Sequence, residues 1–138
     1  MNNPLSHSVP AEGGAFAELA ALIERVFAQA GWTHRDALRL TLVVEELFTN
    51  TLKYGGGSTH PVTLELTPHG ARSFAVRYED GARRFDPFAN TASPGTDVEQ
   101  RRVGGVGLIL VQKIVEAPQY AWTGSGNRIT FRFPASSP

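Results

Sequence analysis

Hydrophobic and polar positions repeat with two different periods along this chain, and the switches between them outline its elements. Leu5, His7 and Val9 alternate with Ser6 and Ser8, which predicts a short strand ended by Pro10. From about Ala15 to Ala30 the positions Phe16, Leu19, Ala20, Ile23, Val26 and Phe27 recur at helical spacing, and Gly31 predicts the stop. Thr33 followed by Asp36 has the form of a capping box, because hydroxyl and carboxylate can satisfy free backbone donors. A second helix is therefore expected from His34 or Arg35 to about Tyr54, ended by Gly55-Gly56-Gly57. Alternation returns in Pro61-Val62-Thr63-Leu64-Glu65-Leu66, which reads as a strand. Thr67-Pro68-His69-Gly70 predicts a turn, and Phe74, Val76 and Tyr78 the inward face of the next strand.

Between Gly81 and Val103 neither period holds, and Pro87, Pro94 and Gly95 interrupt a polar stretch. Irregular connections of that length inside compact domains tend to be lids or binding loops. Helical periodicity resumes at Leu108 and is expected to end near Glu116-Ala117-Pro118. Tyr120 to Trp122 and Ile129 to Phe133 then read as a hairpin around Gly124-Ser125-Gly126-Asn127. Helices gathered on one face of a mostly antiparallel, mixed sheet satisfy this order, so the fold class expected is α+β, a two-layer sandwich. No internal repeat or domain boundary is evident, and residues 1–138 read as a single domain.

Composition changes the picture mainly by exclusion. The 138 residues are 41% hydrophobic, enough for one core without staples. Lys+Arg and Asp+Glu both number 13, so no net field favours nucleic acid or a membrane. The absence of cysteine excludes disulfides, thiolate metal sites and cysteine nucleophiles. Met1-Asn2-Asn3-Pro4-Leu5 does not look like a secretory leader, and apolar runs such as Leu108 to Val111 are far too short to span a bilayer. A cytoplasmic protein is expected.

Candidate chemistry concentrates in two stretches. Glu46 and Asn50 lie four positions apart within the second helix, which places them about 40° apart on one face. A carboxylate that can accept a proton, beside an amide oxygen that can bind a hard cation, suits phosphate chemistry with magnesium. Paired glutamates such as Glu45 and Glu46 usually form a solvated face. A mid-helix asparagine is less easily dismissed, because its side chain competes for backbone groups. Gly104-Gly105-Val106-Gly107-Leu108 leads into the third helix. It is either a flexible connection or a loop whose N–H groups close around phosphate oxygens.

Two familiar phosphate motifs are excluded. No Gly-Lys-Ser/Thr follows Gly107, and Leu110 occupies the third glycine position of the dinucleotide fingerprint. Asp80 and Asp86 follow a strand, where a carboxylate commonly caps a turn; its alternative use is to accept a hydrogen bond from an exocyclic amine such as adenine's. His7, His34, His60 and His69 show no ligand spacing, so no metal site built only from protein groups is expected. Trp32 and Trp122 read as packing residues. Arg101-Arg102 can face terminal phosphates or only solvent.

With these residues in view, the chain resembles the anti-sigma-factor serine kinases of the GHKL ATPase superfamily, from Leu5 to Pro134. Glu46-Leu47-Phe48-Thr49-Asn50, continuing into Lys53-Tyr54-Gly55, is similar to the family's E-x-x-T-N box. Asp80 falls on the aspartate of its D-x-G box. Gly104-Gly105-Val106-Gly107-Leu108 with Leu110-Val111 resembles its G-G-x-G-[IL]-x-L-V box. Ala82 stands where the family carries the glycine of D-x-G, and Tyr54 where many members carry histidine.

The resemblance implies a Bergerat α/β sandwich holding ATP beneath a mobile lid. It implies Glu46 as general base, Asn50 as ligand to a Mg2+ bridging the phosphates, and Asp80 as selector of adenine beside Ala82. Gly104, Gly105, Val106, Gly107 and Leu108 would form the phosphate cradle. It implies a protein serine kinase that phosphorylates an anti-sigma-factor antagonist and sequesters a sigma factor, with no direct nucleic-acid or membrane partner. The family often forms homodimers. Two other expectations stand beside this one: a catalytically silent module that uses ATP as a conformational ligand, and a detached histidine-kinase-like ATPase domain.

Overall fold

The computed structural model of the chain describes residues 4–55, 60–89 and 111–136. Within them, five strands, β1 (Leu5–Val9), β2 (Val62–Pro68), β3 (Ser73–Asp80), β4 (Glu116–Trp122) and β5 (Asn127–Pro134), form one sheet in the order β1-β2-β3-β5-β4. Every pairing is antiparallel. Two helices, α1 (Phe16–Gln29) and α2 (His34–Gly55), connect β1 to β2 and pack together against one face. Residues 111–114 are also helical. No described helix is long and apolar enough to cross a membrane.

The core follows from the two periods. Val62, Leu64 and Leu66 of β2, Phe74, Val76 and Tyr78 of β3, and Ile129, Phe131 and Phe133 of β5 are all buried on the helix-facing side. The residues between them, among them Glu65, Arg77 and Arg132, stand on the open side. Leu19, Leu22, Ile23, Val26 and Phe27 form the buried stripe of α1. Ala37, Leu40, Val43, Val44, Leu47 and Phe48 continue the contact along α2.

Gly31 ends α1 for a visible reason. It adopts φ +79, and Trp32 N–H donates to Phe27 O at 2.8 Å while Gly31 N–H donates to Ala28 O at 3.2 Å. Those are the paired bonds of a Schellman stop, and its usual hydrophobic contact is the Trp32–Phe27 ring pair at 4.9 Å. At the next start, Asp36 N–H donates to Thr33 Oγ1 at 3.1 Å, as the capping pattern predicts. The Asp36 carboxylate turns elsewhere and accepts from Ser136 N–H at 3.1 Å, fastening the C-terminal segment to the head of α2.

Two boundaries differ from the sequence expectation. Thr67 and Pro68 belong to β2, paired with Ala75 and Phe74, so the turn begins at His69. The last helix gives way at Val115, and β4 starts at Glu116 rather than Tyr120. Ala117 takes φ +51 and the register shifts between Glu116 and Gln119. This irregularity breaks the alternation by which the strand could be read, and an edge position tolerates Pro118 without an N–H.

Candidate functional site

The α2 stripe that faces the sheet is apolar as far as Leu47 and Phe48, and then becomes polar. Asn50 and Thr51 occupy the next inward turn and are buried, at 7% and 2% exposure. Opposite them, the last inward positions of β3 and the first of β5 are Tyr78, Asp80 and Asn127 rather than aliphatic residues. A narrow cleft opens here, with an enclosed volume of about 10 Å³, room for about one water. Leu47, Asn50, Thr51 and Tyr54 of α2 line one wall; Asp80, Ala82, Arg83, Phe85, Pro87, Asn127 and Ile129 line the others.

The hydrogen bonds at Asp80 have a fixed direction. Thr51 Oγ1 lies 2.6 Å from Asp80 Oδ2 and 3.1 Å from Leu47 O, and its single proton goes to the closer, charged acceptor. Tyr78 Oη is 2.6 Å from Thr51 Oγ1 and must then donate to it. Burial pushes the Tyr78 hydroxyl well above its ordinary range; the Thr51 hydrogen bond offsets part of that rise, and the Asp80 charge adds a smaller increase. Tyr78 therefore keeps its proton, and the relay Tyr78→Thr51→Asp80 ends on a carboxylate that can only accept.

Asn127 forms the other side of this arrangement. Its Nδ2 donates to Asp80 Oδ1 at 2.9 Å and to Arg83 O at 2.9 Å, and its Oδ1 accepts from Phe85 N–H at 3.0 Å and from the Tyr120 hydroxyl. The preceding Gly126 is required by space: a Cβ there would lie 1.8 Å from Asp80 O. Tyr54 and Phe85 stack across the cleft at 4.7 Å, and Arg83 Nε donates to Tyr54 O at 3.3 Å.

Asn50 is the exception in an otherwise satisfied site. Its Nδ2 is the one buried side-chain polar atom among the described residues without a hydrogen-bond partner. A buried donor left unpaired costs roughly 1–3 kcal/mol, so it marks a position prepared for something else. Among the described residues no three His, Cys, Asp or Glu side chains gather into a metal site. A hard cation would rest on the Asn50 amide oxygen and on oxygens brought by a ligand, which fits the reluctance of Mg2+ to shed its water for an all-protein cage.

The sequence-derived candidates separate as follows. Asn50, Asp80 and Ala82 share the cleft, and Ala82 N–H donates to Asp80 Oδ1 at 3.2 Å. Glu46 is half-buried on α2, one turn before Asn50, and is not part of the cleft lining. Gly104, Gly105, Val106, Gly107 and Leu108 lie outside the described residues, as do Arg101 and Arg102. Asp86 takes the turn-capping role, accepting from Phe88 N–H at 2.8 Å. Trp32 packs among Phe27, Phe74 and Phe133, whereas Trp122 receives the Arg84 guanidinium over its ring at 5.9 Å.

Sequence reasoning did not find Thr51, Gly126 or Asn127. Thr51 carried a signal, a polar residue at a core-facing helical position; Asn127 read only as part of a turn. A broader hollow on the open face of the sheet includes Glu65, Arg77 and Arg132 in its lining, but Arg77 and Glu65 already pair there at 2.8 Å. The cleft between α2 and the β3–β5 ends is the better site.

The family description "Histidine kinase-like ATPase domain" matches residues 9–133. No curated protein sequence gives a significant match. Among solved structures, the RsbU and RsbW domains of Rv1364c from Mycobacterium tuberculosis are similar, with TM-score 0.69 and 16% identity, covering 99% of this chain and 33% of that one. This chain thus spans about a third of the length of that solved chain. The SiaB–SiaC complex from Pseudomonas aeruginosa follows with TM-score 0.62 and 15% identity, covering 94% of this chain and 87% of that one. At such identities these likenesses speak for the fold.

Proposed function

This chain belongs to the histidine kinase-like ATPase domain family, and on that premise we propose that it is an ATP-dependent protein serine kinase acting in the cytoplasm. Its substrate would be a serine of an anti-sigma-factor antagonist, and it would sequester a sigma factor while that antagonist is phosphorylated. The observation that carries this reading is the pairing, across one cleft, of an acceptor-only carboxylate with an unpartnered buried amide donor. Resemblance to the anti-sigma-factor kinases and likeness to the RsbW domain and the SiaB–SiaC structure support the choice of partner.

The chemistry follows from the residues. Asp80 accepts the exocyclic amine of adenine, and Leu47, Tyr54, Phe85 and Ile129 provide apolar surface for the ring. Guanine would present an oxygen to the same carboxylate and be repelled. Asn50 offers its amide oxygen to Mg2+ and its N–H to a phosphate oxygen. Mg2+ supplies charge neutralisation on the phosphates. Gly105 and Gly107 would add backbone N–H donors. Glu46 would take the proton of the serine hydroxyl as that oxygen attacks the terminal phosphorus, the bond from that phosphorus to the bridging oxygen breaking so that ADP leaves with the electron pair. Positioning and electrostatics then supply most of the acceleration.

A second reading is favoured by one observation: Glu46 stands off the cleft lining. On that reading the protein binds ATP as a conformational ligand without transferring phosphate. Incubation with Mg-ATP labelled at the terminal phosphate and a candidate antagonist separates the two. The kinase reading expects label on a serine of the antagonist and its loss in Glu46→Ala. ATP binding without transfer, unchanged by Glu46→Ala, would leave the binding module standing.

A further inference from the structure

We propose that Asn127 is the positioning residue for base selection in the cleft, an inference that rests on the reading of the site as an adenine nucleotide site. Asp80 Oδ1 accepts three bonds, from Ala82 N–H at 3.2 Å, Asn127 N–H at 3.3 Å and Asn127 Nδ2 at 2.9 Å. Oδ2 accepts one, from Thr51. A carboxylate oxygen has about two good acceptor directions, so Oδ1 is saturated and the remaining capacity lies on Oδ2. Asn127 supplies two of the three bonds to Oδ1, its side chain the shortest of them, and so fixes how the carboxylate is turned and holds Oδ2 toward an exocyclic amine.

The orientation of Asn127 is itself determined. Its two N–H groups point at a carboxylate and a carbonyl; its oxygen receives a backbone N–H and the Tyr120 hydroxyl. A flipped amide would set oxygen against oxygen on one side and N–H against donors on the other. Because the side chain is 2% exposed, water cannot repair such a flip. The same amide holds both Arg83 O and Phe85 N–H, so it also fixes the segment that carries Phe85 over Tyr54. Selection of the base and placement of the aromatic wall are one device. Tyr120 anchors it from β4 without lining the cleft.

The test compares affinities of the whole chain for ATP and for purine riboside triphosphate, which lacks the exocyclic amine, by calorimetry. Wild type should prefer ATP by about tenfold or more, the scale of one hydrogen bond to a charged group. Asn127→Ala should reduce that preference to about threefold or less. Tyr120→Phe, which removes only a hydroxyl from a residue outside the cleft wall, should reduce it by about threefold. Thermal unfolding of each variant is measured in parallel.

If Asn127→Ala does not fold, Tyr120→Phe decides alone. Variants that lose thermal stability yet keep the wild-type preference would overturn the proposal, leaving Asn127 a purely structural crosspiece. Wild type that binds ATP without preferring it over the amine-free analogue would overturn it too, while leaving nucleotide binding intact. Wild type that binds neither nucleotide would overturn the underlying site reading, and this inference with it.

Discussion

The two ends of the helix–sheet interface use the same strands for opposite purposes. At one end Phe74 of β3 lies beside Phe133 of β5, and both pack against Phe27 and Trp32, with Phe27 stacked on Phe74 at 4.9 Å. At the other end the paired residues are Asp80 and Asn127, facing Asn50 and Thr51. The aromatic end gains from area removed from water, and Asp36 is the one buried charge beside it among the described residues. The polar end has given up that gain and recovers part of it through a hydrogen-bond network satisfied everywhere but at Asn50 Nδ2. Stability is concentrated where the sequence is greasy, and the proposed binding site lies where the same periodicity is interrupted by polar groups.

The largest expected effect comes from the aromatic end. Phe27→Ala should cost about 3–5 kcal/mol in urea unfolding, because the ring is fully buried among three others. Nucleotide affinity of the folded fraction should stay within about threefold. A loss of affinity larger than that would break the division into two ends. Gly126→Ala comes next: its Cβ meets Asp80 O, so the strand ends must separate at a cost of about 1–3 kcal/mol. Here ATP affinity should fall as well, since Asp80 itself is displaced. Calorimetry on the folded variant checks this.

Asn50→Ala sharpens the contrast by reversing the usual sign. Removing an unpartnered buried donor, and placing the best helix former mid-helix, should leave stability equal or raise it by up to about 1 kcal/mol. Mg-ATP affinity should nevertheless drop about tenfold or more. Destabilisation without loss of ATP would mean that Asn50 has a structural partner role instead.

How much of this could be read beforehand differs between the ends in the same way. The helical stripes, the stop at Gly31 and the inward faces of β2 and β3 follow from side-chain period and one glycine, so the aromatic end was largely legible. Asn50 was legible too, as a polar residue that helix propensity does not explain. Asn127 was not. It meets Asp80 through strand register, and its partners Phe85, Arg83 and Tyr120 come from separate segments that no local pattern connects. The start of β4 was hidden by the irregularity at Ala117, which breaks the alternation itself. The glycine-rich segment Gly104–Leu108 lies beyond what the structure describes.

The smallest expected effect tests the aromatic end's only buried charge among the described core residues. Burial by itself would raise the Asp36 carboxyl, but hydrogen bonds from Ser136, Arg39 and Thr33 outweigh it and hold the group below its ordinary value of 3.8. A carboxyl depressed in the folded state binds protons less readily than in the unfolded chain. Its contribution is therefore full above the ordinary carboxylate range and is lost as pH falls through the folded value. Asp36→Asn should lower neutral-pH stability by under about 1 kcal/mol, the scale of a partly exposed ion pair and its hydrogen bonds. It should also flatten the acid limb of a stability profile taken from about pH 6 to about pH 2. Arg39 also lies over the Phe133 ring at 5.1 Å, so the change stays local to that end. ATP affinity near neutral pH should not move; a shift there would mean that the head of α2 communicates with its far end, and the two ends could no longer be treated as separate.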